Sequence, residues 1–191
     1  MAYSSFPRLG LLLGVAAGLL GGCCANNVCN CDDTNADVIK LRFSTTAAGP
    51  TGQTFAAADL DTMVLQRSPL PYSVANKFET VTLYRTAMQA GDAIVLNNGT
   101  PFSQVGSTKL SGYRYVVQYL AHPASTPGRK GVPTPVVVID RVELGGALEG
   151  SGCCTCYTNT RKAVYLNGSI TPQDLRTDNP RTDNQLELTK P

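Results

Sequence analysis

Tryptophan is absent from this sequence, and His122 is its only histidine. A Ser-His-Asp triad would have to use that residue, which stands between Ala121 and Pro123 where a loop is expected, and no Gly-x-Ser-x-Gly motif supplies the nucleophile. Phosphate-binding loops and dinucleotide fingerprints are also missing. The sequence therefore contains no catalytic constellation, and it implies no cofactor.

Charge is sparse and nearly balanced. Charged residues make up only 16% of the chain, with 16 Lys and Arg against 14 Asp and Glu, and no run of like charges occurs. Proteins that bind nucleic acid concentrate positive charge on one face or along one segment. We therefore expect no nucleic-acid partner.

The longest apolar run, residues 9–20, is too short to cross a membrane. A spanning helix takes about 20 apolar residues, and this run has about a dozen. It follows Arg8, the only charge before Cys23, and small residues come after it. A positive charge, a short apolar run and a small-residue cleavage site are the three parts of a secretory signal. The sequence predicts a signal peptide over residues 1–22.

The run closes with Leu20-Gly21-Gly22-Cys23, which resembles the lipobox of bacterial lipoproteins. In that family, a leucine three residues before a cysteine directs cleavage and lipidation of the cysteine. The resemblance covers residues 1–23 only. It implies a mature chain that begins at Cys23 and is held at a membrane by acyl chains such as palmitate. The next residue is Cys24 and not aspartate, which in this family implies the outer membrane of the cell envelope.

Downstream, the composition favours strands. Val, Ile, Thr and Tyr are plentiful, and 18 Gly and 12 Pro punctuate the chain. Apolar and polar residues alternate over 39–43 and most clearly over 113–120, which is typical of half-buried strands. Residues 136–144 are the most apolar run and predict a central strand buried on both faces. Further strands are predicted at 62–67, 80–86, 92–96 and 163–166.

About seven or eight short strands separated by turn signals predict an all-β fold. We expect an immunoglobulin-like β-sandwich, with a small β-barrel as the alternative. An exposed loop is predicted at 121–135 and a turn at 145–152, because both are rich in Pro or Gly. The expected core residues are Ile39, Leu41, Phe43, Val81, Leu83, Val117, Val138 and Leu144.

Three regions follow the signal peptide. Residues 23–36 are rich in turn formers and read as a cysteine-containing tether. The sandwich domain is predicted over 37–170. The remainder, 171–191, contains the tandem Arg176-Thr177-Asp178-Asn179 and Arg181-Thr182-Asp183-Asn184, and this polar composition predicts a loose C-terminal tail.

The cysteines carry the only distinctive chemistry. With Cys23 lipidated, six remain in two clusters, which are Cys24, Cys29 and Cys31 near the start and Cys153, Cys154 and Cys156 near the end. Outside the cytoplasm, an even count favours disulfides that staple the ends of the domain together. Six cysteines can pair in many ways, so the connectivity stays open.

The matching spacings of Cys29-x-Cys31 and Cys154-x-Cys156 leave an alternative. Residues two apart on an extended chain point to the same side, so the four sulfurs could meet as metal-binding thiolates or as a thiol-active group. Structural zinc sites, however, usually have about two to four residues between paired ligands, and no Cys-x-x-Cys redox motif occurs.

The predicted function is therefore a lipid-anchored binding or structural module of the envelope. Its expected partners are the membrane and an envelope protein or glycan. The alternative is an envelope metal-binding or thiol-active protein that uses the two Cys-x-Cys pairs.

Overall fold

The computed structural model describes residues 29, 31, 36–45, 53–103, 108–121, 131–151, 154–176 and 185–191. Its strands are β1 (Ile39–Phe43), β2 (Thr62–Pro69), β3 (Glu79–Tyr84), β4 (Ile94–Leu96), β5 (Tyr113–Ala121), β6 (Val132–Ser151), β7 (Cys154–Leu166), β8 (Gln173–Asp174) and β9 (Gln185–Leu188). Short 3₁₀-helices occupy Ala57–Leu60, Ala87–Gln89 and Leu110–Gly112.

The strands form two sheets. The small sheet has the order β4-β1-β9, in which β1 is antiparallel to β4 and parallel to β9. The large sheet has the order β3-β2-β5-β6-β7-β8, and all its neighbours are antiparallel. Neither sheet closes on itself, and buried residues of both belong to one core. The prediction of an all-β sandwich is confirmed, with nine strands among the described residues.

Aromatic packing joins the two sheets. Phe55 packs edge to face on Phe43 of β1 and on Tyr119 of β5, with ring centroids 5.5 Å apart in both pairs. Both strands bury alternate residues, as the sequence predicts. Of the expected core residues, Ile39, Leu41, Phe43 and Val117 are buried, and Val81, Leu83 and Leu144 pack against the core from its margin.

The apolar run of β6 is not buried on both faces. Val137 and Ile139 point into the core, whereas Val138, which was expected there, is only half-buried on the opposite face. The prediction for Val138 was wrong because an antiparallel sheet can bury one face and leave the other in contact with water, even where a strand is apolar throughout.

Strand β6 is also longer than the sequence predicts. It begins at Val132, inside the expected loop, where Pro135 lies beside a register shift between β5 and β6. A bulge of this kind is one of the few places where a strand tolerates proline. The strand then runs through the glycines of the expected turn to Ser151.

The far part of the β6–β7 hairpin leaves the sheet. Among the described residues, 145–151 and 154–161 pair only with each other, and we call these two segments the hairpin arm. The turn predicted at 145–152 was wrong because Gly146 serves a different purpose. A Cβ atom there would overlap the ring of Tyr157, so glycine lets that ring lie across the strand.

The C-terminal region belongs to the domain. Instead of the loose tail predicted over 171–191, Leu175, Leu186 and Leu188 are buried, and β9 pairs with β1. Lys190 anchors the end of the chain, since its Nζ lies 2.7 Å from a carboxylate oxygen of Asp59. Most of the Arg-Thr-Asp-Asn tandem lies outside the described residues.

Candidate functional site

Two disulfides join the tether to the hairpin arm. Cys29 is bonded to Cys154 and Cys31 to Cys156, with Cα atoms 5.4 and 5.3 Å apart. Each bridge spans the same sequence separation of 125 residues, so the two Cys-x-Cys motifs lie side by side in register. The presence of disulfides, which the even cysteine count predicts, is confirmed. The sequence left the connectivity open, and the structure pairs Cys29 with Cys154 and Cys31 with Cys156.

In the disulfide-bonded state, these four sulfurs do not form a four-thiolate metal site. Metal binding and thiol exchange both need the thiolate form, which a sulfur in a disulfide does not have. Within the parts of the chain that the structure describes, no group of three or more His, Cys, Asp or Glu side chains is arranged to hold a metal ion. In this oxidation state the two motifs therefore act as covalent links.

The chain that follows the bridges is tied to β7 by buried and partly buried polar contacts. Asp37 accepts hydrogen bonds from the Tyr157 hydroxyl at 3.3 Å and from Asn159 Nδ2 at 2.8 Å. Lys162, only 1% exposed, donates from Nζ to the Val38 carbonyl at 2.7 Å. Desolvation and then the charge of Asp37 raise the pKa of Tyr157, which keeps its hydroxyl a donor.

Cross-strand ion pairs hold the base of the arm together. Glu143 of β6 accepts hydrogen bonds from Arg161 of β7, one of them at 2.7 Å from Nε, and Arg141 lies 3.0 Å away. The hydrogen bonds from Arg161 are the main reason that the pKa of Glu143 is lowered. Further out, the Thr158 hydroxyl donates to Glu149 at 3.2 Å. The arm therefore has stabilising side-chain contacts of its own besides its backbone ladder.

The other cysteines and the histidine cannot be placed. Cys23, Cys24, Cys153 and His122 all lie outside the described residues. Lipidation at Cys23 and any pairing of Cys24 or Cys153 therefore stay predictions from the sequence.

A groove on the outer face of the large sheet is a second candidate site, which the sequence did not suggest. It has a volume of about 320 Å³, and the loop between β2 and β3 forms one wall. It is lined by Gln66, Ser68, Tyr72, Ser73, Val74, Asn76, Phe78, Arg114 and Val116. Residue type alone could not reveal it, because its lining comes from two strands and a loop.

No protein-family model, no curated protein and no solved structure matches this chain. Of the residues described, none forms a helix long and apolar enough to cross a membrane. What the protein does is therefore inferred below from the bridges, the arm and the groove.

Proposed function

We propose that the protein is a lipid-anchored module of the bacterial cell envelope, with the lipid on Cys23 and a ligand-binding surface on the sandwich. The observation that carries the proposal is the pair of disulfides at the end of the tether. Disulfides persist outside the cytoplasm, which is also where a lipobox directs a protein. Two independent features thus support one compartment.

The tether is short enough to keep the arm near the lipid. Cys29 lies six positions after Cys23, and an extended chain spans at most about 3.6 Å per residue, so the distance is at most about 22 Å. Under this proposal the hairpin arm is the membrane-proximal end of the molecule. The start of β6, at Val132, then lies toward the membrane-distal end.

A short connection to the lipid favours a binding module that is held close to the membrane. The chain is bonded to the arm at Cys29 and Cys31 and hydrogen-bonded to β7 at Asp37 and Val38. Only the residues between Cys23 and Cys29 therefore separate the lipid from the folded domain. A surface on the large sheet then stays near the membrane, which raises the effective concentration of ligands that are held there too.

The metal-binding and thiol-active alternatives require free thiols at Cys29, Cys31, Cys154 and Cys156. The bonded state of these four sulfurs favours the anchored module instead. The family pattern of Cys24 after the lipid cysteine supports the outer membrane as the destination within this proposal.

Replacing the lipid acceptor tests the anchor. Cys23→Ser should move the protein from the membrane fraction to the soluble fraction of fractionated cells, because the acyl chains supply the attachment. The neighbouring variant Cys24→Ser is the matched control and should stay in the membrane fraction. The proposal fails if Cys23→Ser remains with the membranes after a high-salt wash.

A further inference from the structure

The groove under the β2–β3 loop is lined by apolar side chains that are exposed to solvent. Tyr72 is 49% exposed, Phe78 61% and Val74 92%, and all three line the same groove. Exposed apolar side chains that share one groove with polar groups are typical of a ligand or partner site. The exposed rings of Tyr72 and Phe78 therefore indicate a binding site on this face of the sheet.

Polar groups next to these rings are free to bind. Gln66 and Ser68 project from β2 on the outer face of the sheet and line the groove. Within the described part of the chain, neither side chain makes a hydrogen bond. An amide offers two donors and an acceptor, and a hydroxyl offers both functions. The groove thus pairs aromatic rings with unused neutral hydrogen-bonding groups.

The loop that carries the rings is held in place. Asn76 Nδ2 donates to the carbonyls of Pro71 at 3.0 Å and Pro69 at 3.4 Å. The Leu70 amide donates to the Gly112 carbonyl at 2.9 Å, which ties the loop to the start of β5. A site that is formed before its ligand arrives loses less entropy on binding.

The single charge in the groove is already neutralised. Arg114 Nε lies 3.1 Å from a carboxylate oxygen of Asp140, and its guanidinium carbon lies 4.5 Å from the centre of the Tyr72 ring. The guanidinium therefore supports the ring through a cation–π contact and carries no unpaired charge. This electrostatic balance favours an uncharged ligand over an anion.

We infer that the groove binds the sugar rings of a neutral glycan. Tyr72 and Phe78 stack on the apolar C–H faces of sugar rings, and Gln66 and Ser68 hydrogen-bond with hydroxyl or acetamido groups. A cavity of 320 Å³ lies at the small end of ligand sites, which suits a short stretch of a chain. This inference deepens the proposed envelope module, and it rests on that proposal for the source of the glycan.

The test uses the full-length chain carrying Cys23→Ser, so that binding is measured without the lipid. The protein is applied to an array of immobilised uncharged and acidic oligosaccharides that includes oligomers of N-acetylglucosamine. Titration calorimetry then measures affinity for the best uncharged oligosaccharide. We expect saturable binding to uncharged members and a loss of about tenfold or more in affinity for Tyr72→Ala and for Phe78→Ala, since exposed rings at the centre of a site dominate binding.

Tyr84→Ala is the matched control. Tyr84 is 80% exposed on β3 and lies outside this groove, so its removal should leave affinity unchanged. Thermal unfolding of each variant establishes that it is folded. Binding to acidic members alone, or equal losses in Tyr72→Ala and Tyr84→Ala, would overturn the inference.

A protein ligand is the other outcome to separate. Absence of binding to every glycan would overturn the inference, and crosslinking of a photoreactive residue at Val74 to an envelope protein would then assign the groove to that protein. Because Cys23→Ser release is scored separately by fractionation, failure of glycan binding and failure of the anchor are distinguishable.

Discussion

At the scale of single residues, the core contains a buried guanidinium, that of Arg67, whose charge is compensated by its neighbours. Arg67 is 3% exposed, and its guanidinium carbon lies 4.3 Å from the centre of the Tyr113 ring and 4.8 Å from that of Phe102. It donates to Glu79 at 2.8 Å and to the Ser103 carbonyl at 2.7 Å. A buried charge is tolerated only when it is paired and hydrogen-bonded in this way.

Next to it, Tyr115 is a buried phenol whose hydroxyl donates to the Leu110 carbonyl at 2.9 Å. Burial raises the pKa of Tyr115 above its ordinary value of 10.0, although the positive charge of Arg67 opposes the shift. A group whose pKa is raised on folding contributes stability in full below its unfolded pKa and loses it as the pH rises further. The free energy of unfolding should therefore fall as the pH rises above about 10, because Tyr115 ionises in the unfolded chain while the buried phenol stays protonated.

Tyr115→Phe tests that effect. At neutral pH, the variant should lower the free energy of unfolding by about 1–3 kcal/mol, because the Leu110 carbonyl loses its buried donor. Above about pH 10, its unfolding free energy should fall less steeply than that of the parent, since the phenol no longer ionises on unfolding. Urea denaturation across this pH range measures both. The exposed Tyr84→Phe is the control, and an unchanged alkaline slope in Tyr115→Phe would contradict the assignment.

Sequence identified the cysteines but not these buried polar residues. Arg67 follows Met63 and Leu65 at alternate positions of β2, so strand periodicity puts it on the inward face. Its charge predicts an exposed position instead. The aromatic rings that pack on the guanidinium come from distant parts of the chain, so the sequence did not reveal that it is buried. The burial of Lys162 could not be predicted for a similar reason, since its acceptor Val38 lies 124 residues away in the chain.

At the scale of elements, the hairpin arm depends on its covalent links. A two-stranded hairpin alone is marginally stable in water, and the arm has no other strand beside it among the described residues. The bridges from Cys29 and Cys31 provide the stabilisation that neighbouring strands provide elsewhere in the large sheet.

The two bridges should stabilise the protein non-additively. Closing a loop of 125 residues is worth about 5 kcal/mol in the loop-entropy model. Either bridge alone closes that loop, so removing one as Cys29→Ser with Cys154→Ser, or as Cys31→Ser with Cys156→Ser, should cost only about 2 kcal/mol. Removing both should cost about 5–7 kcal/mol, as measured by chemical denaturation.

The bridge series is made in a background that carries Cys24→Ser and Cys153→Ser, and the fully reduced background protein is its control, which should match the four-serine variant. Losses that are equal for the two single-bridge variants and sum to the loss of the four-serine variant would contradict this prediction. They would mean that each bridge restrains a different part of the unfolded chain.

Local alternation predicted the short antiparallel strands, and it failed where pairing is distant or glycine has a packing role. β1 and β5 alternate clearly and were found. β9 alternates as well, but it is only four residues long and its parallel partner lies at the other end of the chain, so this short alternation did not identify it. The groove is likewise absent from any local pattern because β2, β5 and the intervening loop build it together.

At the scale of the whole molecule, the proposed anchor at Cys23 would make the arm a spacer between the membrane and the sandwich. Residues 145–151 extend about 20 Å at the usual rise of a strand. The headgroup layer on one side of a bilayer is about 5–8 Å thick. If the arm stands upright at the membrane, the groove on the large sheet is therefore clear of the headgroups and open to a glycan in the envelope.

Mass spectrometry of the protein isolated from its native membrane, without reductant, tests the central claim most directly. The expected result is a mature N-terminus at Cys23 carrying acyl chains, with one crosslinked peptide joining Cys29 to Cys154 and another joining Cys31 to Cys156. An unmodified Cys23, an N-terminus upstream of it, or alkylation of those four cysteines in the unreduced protein would contradict it.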